Sequence, residues 1–200
     1  MTAHYLATST YPLKAGDSCL IHAVAGGLGQ LLCQMAKLRG ARVIGTAGSP
    51  EKAEIARAAG ADEVILYRER AFAPAVRELT GGAGVQVVYD TVGRDTFDGS
   101  LDSLARRGCM VLVGAASGPV PPLDPQLLNA KGSLFLTRPS LAHYIATREE
   151  LLARGTEVLG WVAEGKLKPR VDRAYPLDQA PEAHRALAAR ETAGKLLLIP

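Results

Sequence analysis

Gly26, Gly27 and Gly29 follow directly on the apolar run Cys19-Leu20-Ile21-His22-Ala23-Val24-Ala25. A strand that ends in such a cluster and passes into a helix is suited to holding the pyrophosphate of a dinucleotide. Gly26 and Gly27 let the backbone turn off the strand and approach the phosphates. Gly29 lets the next helix pack close to the sheet, and Ala25 and Leu28 complete a loop whose helix-terminal amides face the anion. Glycines also mark ordinary tight turns, and here Val24 stands in the first place of G-x-G-x-x-G. The context favours the dinucleotide: Leu28, Leu31, Leu32, Met35 and Ala36 recur at helical spacing after the loop, and Ala41 to Thr46 reads as a second buried strand.

The end of that second strand refines the cofactor. Sites that prefer NAD place an Asp or Glu there to hold the ribose hydroxyls. This chain instead has Gly45-Thr46-Ala47-Gly48-Ser49-Pro50-Glu51-Lys52, with hydroxyls and a lysine where a 2′-phosphate would lie. Ser49 followed by Pro50 is also a helix start in its own right, and Lys52 would suit a solvated surface. A capped helix end and a bound phosphate are compatible, so the pattern favours NADPH over NADH.

The elements that must position these residues alternate between strand and helix. This pattern gives an α/β fold, a Rossmann-type doubly wound parallel sheet with helices on both faces. A third strand is expected over Ala61 to Tyr67, a fourth over Val85 to Asp90, a fifth over Cys109 to Gly114 and a sixth over Ser133 to Thr137. A helix should run from about Asp95 to Leu104, and a longer one should fill Tyr144 to Glu164 with Gly155 and Gly160 as weak points. The segment Gly118-Pro119-Val120-Pro121-Pro122 must be loop, because successive prolines lack ladder donors. Asp90, at the end of the fourth strand, is expected to bond a nearby backbone amide.

With 200 residues, 48% of them hydrophobic, the chain can bury a sizeable core as one domain. A net charge of +3 and the short pair Arg106-Arg107 make nucleic acid a poor partner. No secretory pattern or membrane-length apolar run is visible, so a cytoplasmic location without membrane association is expected. Three scattered cysteines in apolar surroundings suggest buried reduced thiols. The four histidines are far apart and no Cys-x-x-Cys pair exists, so no metal site is expected.

Over essentially its whole length the chain resembles the cofactor-binding part of the zeta-crystallin-type quinone oxidoreductases, within the medium-chain dehydrogenase/reductases. The resemblance rests on ordered segments: Met1-Thr2-Ala3-His4-Tyr5-Leu6, the loop from His22 to Gly29, Gly45-Thr46 with Ser49 and Lys52, and Val87 to Gly93. It continues through Gly114 to Pro119, Leu136-Thr137-Arg138-Pro139 and the closing Arg190 to Pro200. It implies that Thr46, Ser49, Lys52 and Tyr67 surround the adenosine phosphate, with Arg190 close by. It also implies that Val92 and Gly114 to Ser117 line the path to nicotinamide, and that Leu136 and Thr137 lie near its ring. Two bland alternatives stand beside these roles: Tyr67 as a strand-end aromatic, and Arg190 as a cation favoured by a helix dipole.

Full-length members of that family carry a GroES-like catalytic domain before the segment matched by Met1, and residues from about 165 to 200 resemble the part that returns to it. The expectation is therefore a truncated chain or a natural half-enzyme, with Lys195 to Ile199 left as a partly unpaired strand. The resemblance implies hydride transfer from NADPH to a quinone and a homo-oligomeric assembly. Such chemistry needs little from the protein beyond alignment in a dry pocket, and no catalytic residue is assigned. An enone or enoyl reductase would use the same scaffold, and a noncatalytic NADPH-binding or dimerising domain is the alternative of a different class.

Overall fold

A computed structural model describes residues 1–189 and 192–200. The chain opens with α1 (Thr2–Tyr5) and a π-helical turn over Leu6–Thr10. It then alternates through β1 (Ser18–Ile21), α2 (Gly27–Leu38), β2 (Arg42–Ala47), α3 (Pro50–Ala58), β3 (Glu63–Leu66), α4 (Phe72–Leu79), β4 (Val85–Asp90), α5 (Phe97–Ser103) and β5 (Leu104–Leu112). After α6 (Gln126–Ala130) and β6 (Phe135–Thr137) come α7 (Leu141–Tyr144) and α8 (Arg148–Ala163), and then β7 (Val171–Pro176), α9 (Ala180–Ala188) and β8 (Lys195–Ile199).

The first six strands form one parallel sheet in the order β3-β2-β1-β4-β5-β6. This is the doubly wound arrangement expected from the sequence, with its switch point between β1 and β4. Successive side chains of a strand point to opposite faces, and both faces are covered. Cys19, Ile21, Val43, Val87 and Tyr89 join the core shared with Leu6, Leu13, Leu32 and Met35. Leu20, Ile44 and Val88 join the second core with Val76, Phe97 and Leu101.

Several boundaries differ from the sequence reading for local reasons. β5 starts at Leu104 because Val85 pairs with Leu104 and Val87 pairs next with Cys109, which leaves the residues between them as a bulge with Arg107 at φ 60°. The expected helix over 144–164 is present as α8 but begins later. α7 ends at Tyr144, and Thr147 restarts the chain as α8 with a capping box, its side chain accepting from the Glu150 amide while Glu150 accepts from the Thr147 amide. Gly155 and Gly160 leave α8 unbroken. α4 and β7 had no counterpart in the sequence reading. β8 pairs in parallel with β7 as a separate two-stranded sheet, so it has one partner strand among the described residues.

Candidate dinucleotide site

Every strand of a parallel sheet ends on the same side, so the loops after β1, β2, β4, β5 and β6 gather at one edge. The loop after β1 is drawn tight by its own backbone. The Val24 amide donates to the Thr46 carbonyl at 3.2 Å, and the Gly26 amide to the Ala23 carbonyl at 2.8 Å. Ala23 takes φ 49°, a left-handed conformation that an alanine adopts only under constraint. A Cβ on Gly29 would stand 2.5 Å from the Ala23 oxygen and 2.7 Å from the Val24 Cα. The glycine at 29 therefore lets α2 begin directly against the loop backbone.

The incomplete fingerprint at Val24 has a physical resolution on the neighbouring strand. Val24 is fully buried, and a Cβ on Gly45 of β2 would lie 2.4 Å from its Cγ1. Gly45 thus makes the room that a glycine at position 24 would otherwise have provided. Gly26 is the N-cap of α2 with no side-chain cap, which leaves the first amides of the helix facing the loop. Ala25 is buried, Leu28 is half-buried, and Gly27 is approached from outside: a Cβ there would meet the Gly194 oxygen at 3.0 Å and the Lys195 Cδ at 3.5 Å. The approach of Lys195 was not foreseen. It follows from the β7–β8 pairing, which carries no local signal near residue 27.

After β2, Ser49 caps α3, its Oγ accepting from the Lys52 amide at 3.4 Å, and Pro50 occupies the first turn. Tyr67 follows β3 and is 45% exposed. Its hydroxyl would be 2.7 Å from a Cβ on Gly48, so the ring lies over the β2–α3 turn. Ser49, Lys52 and Tyr67 are therefore carried by adjoining strand ends. Thr46 is 2% exposed, and its hydroxyl is engaged internally with His22 and the Ala23 amide. Arg190 lies outside the described residues.

On the other side of the switch point, the buried carboxylate of Asp90 accepts from the amides of Val92 at 2.8 Å and Gly93 at 2.9 Å, as well as from the hydroxyls of Thr96 and Ser100. It thereby shapes the β4–α5 turn, the structural role read from the sequence. Ser117 donates to the Val92 carbonyl at 2.9 Å and accepts from the Asp95 amide at 3.0 Å. A Cβ on Gly114 would stand 2.4 Å from the Thr91 oxygen, so glycine lets the exit of β5 lie on the exit of β4. Leu136 and Thr137 are half-buried on β6, paired with Met110 and Val111. Arg138 donates to the Leu112 and Val113 carbonyls and ties β6 to the end of β5.

The residue that sequence reasoning passed over is His22. It is 1% exposed, with Nδ1 3.0 Å from the Thr46 hydroxyl and Nε2 3.0 Å from the Ser100 hydroxyl. Its ring packs edge-to-face with Phe72, the ring centres 4.7 Å apart. Burial pushes its pKa down, and the attraction of Asp90 opposes this only in part. A histidine at the end of an apolar strand, with hydroxyls and a carboxylate at neighbouring strand ends, was the available signal. No spacing rule links those positions.

Other chemistries find little support. Cys19, Cys33 and Cys109 are buried free thiols, and burial pushes Cys33 up to about 12 and Cys109 up to about 11, away from nucleophilic thiolate. Among the described residues no group of three His, Cys, Asp or Glu side chains could hold a metal ion, and no helix is long and apolar enough to cross a membrane.

A family profile described as zinc-binding dehydrogenase matches residues 27–154. The chain is 50% identical to a quinone oxidoreductase of Salmonella typhimurium, covering all of this chain and 62% of the relative. A 2-haloacrylate reductase from a Burkholderia species is 44% identical over the whole chain and 60% of its own length. Among solved structures, Escherichia coli quinone oxidoreductase complexed with NADPH superposes with a TM-score of 0.96 at 49% identity, over all of this chain and 62% of that one. The chain thus spans about three fifths of the length of these relatives.

Proposed function

The chain belongs to the zinc-binding dehydrogenase family, and on that premise we propose that it holds NADPH across the crevice between β1 and β4 and forms the cofactor half of a quinone-reducing enzyme. The observation that carries this reading is the constricted loop from His22 to Gly29, where Gly29 within the loop and Gly45 on the neighbouring β2 are each required by contacts under 3 Å. It joins a fold shared with a quinone oxidoreductase crystallised with NADPH.

When bound, NADPH supplies a hydride from its nicotinamide. The chain's own residues bind and orient. The amides of Gly27, Leu28 and Gly29 at the start of α2 face the pyrophosphate, with Lys195 adding a cation near Gly27. Ser49, Lys52 and Tyr67 receive the adenosine 2′-phosphate, while Thr46 acts from beneath by holding the loop. Val92, Gly114 and Ser117 form the wall toward nicotinamide, and Leu136 and Thr137 border the ring. No proton donor is assigned to this chain, and His22, buried at the start of the loop, has both ring nitrogens engaged. The exposed β8 edge suits association with a second copy.

A second reading, reduction of an activated carbon–carbon double bond, is favoured by the 44% identity to a 2-haloacrylate reductase. Both readings share the cofactor step. Calorimetric titration of the chain with NADPH and NADH should give tighter binding of NADPH. Lys52→Glu should weaken NADPH by about tenfold or more while changing NADH little, because a phosphate-pairing cation is replaced by a repelling anion. Equal losses for both would remove the 2′-phosphate assignment. Turnover of a quinone against 2-chloroacrylate, after fusion of a family catalytic domain ahead of Met1, separates the two substrates.

A further inference from the structure

The two halves of the crevice are joined beneath its floor by a buried chain of hydrogen bonds. We propose that His22 is a positioning residue of the dinucleotide site, coupling the glycine loop after β1 to the turn after β4 through Thr46, Ser100 and Asp90. The inference rests on the reading of this crevice as an NADPH site.

The direction of each bond follows from the chemistry of its partner. A carboxylate only accepts, so Ser100 directs its single hydroxyl proton to Asp90, at 2.8 Å. Ser100 can then only accept from His22, which places the imidazole proton on Nε2, at 3.0 Å. Nδ1 is left with a lone pair and accepts from the Thr46 hydroxyl at 3.0 Å. The Thr46 oxygen in turn accepts from the Ala23 amide at 3.3 Å. At the far end, Asp90 holds the amides of Val92 and Gly93. The chain therefore runs from Ala23, whose left-handed backbone begins the glycine loop, to the turn on the nicotinamide side.

Thr46, His22, Ser100 and Asp90 are all buried, and no buried side-chain polar atom among the described residues lacks a partner. Such a network transmits disturbance, because removing one link leaves the next group without the partner that fixed its orientation. The neutral imidazole it needs is the form that burial favours. His22 touches neither the crevice surface nor solvent, so its influence on a bound dinucleotide is exerted through the two loops.

The test is amide hydrogen exchange on the ligand-free chain together with NADPH titration. Thr46→Val keeps the side-chain shape and cuts the chain at one end. It should speed exchange at Val92 and Gly93, at the far end of the chain, by about fivefold or more and weaken NADPH by about tenfold, the scale of one buried hydrogen bond. Ser100→Ala should do the same, and the double variant should be no more than about twice as weak as either single one, since both release the same histidine. Thr46→Ser, which keeps the hydroxyl, should restore exchange and affinity. If Ser100→Ala fails to fold, Thr96→Val loosens Asp90 from the partly exposed side and should speed exchange at Ala23. Exchange changes confined to Ala23 and Val24 in Thr46→Val, losses that multiply in the double variant, or a fall in thermal midpoint with NADPH affinity unchanged would overturn the proposal. If the unaltered chain binds no NADPH, the functional reading fails and the positioning role with it. If it binds and the variants do not couple, only the positioning role fails.

Discussion

The described residues contain two parallel sheets built from similar residues in different surroundings. In the six-stranded sheet, Leu20 and Ile44 lie fully buried between helices. In the two-stranded sheet, β8 reads Lys-Leu-Leu-Leu-Ile, yet Leu197, Leu198 and Ile199 are 41%, 39% and 51% exposed. Apolar sequence alone thus does not decide what a strand contributes; coverage on both faces does. A two-stranded sheet is marginal by itself, and this one is held by the α9 crossover and by contacts at Ala193 and Gly194. The tight loop on which the proposed binding rests lies at the carboxyl edge of the covered sheet.

The largest expected effect tests that contrast with one substitution made in each sheet. Leu20→Ala removes a fully buried side chain and should lower unfolding free energy by about 3 kcal/mol, read from the urea midpoint. Leu198→Ala should change it by no more than about 1 kcal/mol, because much of that side chain already meets water. Comparable losses would mean that the two sheets form one cooperative unit with a shared core.

A smaller effect follows from the polar seam inside the covered sheet. The folded-state pKa of His22 lies below the ordinary imidazole value, so below about pH 6.5 the unfolded chain binds a proton that the native chain does not. Stability from this group is complete above that pH and is lost as pH falls toward the folded value. Between pH 7.5 and 5.5 the loss should be about 1 kcal/mol. The slope should disappear in His22→Gln, whose amide does not titrate. Asp62, whose pKa is lowered by its bonds to Lys37 and the Val43 amide despite partial burial, contributes only at more acid pH: its stabilisation is lost below the ordinary aspartate range.

Legibility in the sequence follows the same division. The central strands β1, β2 and β4 were readable at Leu20, Val43 and Val88 because both-face burial demands continuous apolar runs, and the less buried edge strands β3 and β6 still fall where Val64 and Leu136 indicated. The glycine loop was readable because close backbone approach excludes a Cβ at 29. The role of Gly45 was not, since the clash it avoids is with Val24, on another strand. The bulge that moves the start of β5 and the break at Thr147 are local events against which broad periodicity is blind. β7 was missed because Val171 to Pro176 carries Asp172, Arg173 and a proline, the composition of an exposed strand. The His22 network links residues 22, 46, 90 and 100, which only the parallel topology brings together.

The smallest expected effect sharpens the contrast between loop and helix through two opposite substitutions. Ala23 sits at φ 49°, where an L side chain is strained by roughly 1 kcal/mol, and its side chain is exposed, so Ala23→Gly removes the strain without opening a cavity. Part of that gain is offset because glycine gives the unfolded chain more freedom, which leaves a net stabilisation of about 0.5 kcal/mol. Gly155 lies within α8 with nothing within 4 Å of a built Cβ, so Gly155→Ala should also stabilise, by about 0.5 to 1 kcal/mol. Exchanging alanine for glycine in one place and glycine for alanine in the other should therefore shift the urea midpoint in the same direction. If Ala23→Gly destabilises instead, the left-handed turn is held by the Thr46 and Gly26 hydrogen bonds at no conformational penalty, and the alanine is serving to limit the freedom of the loop.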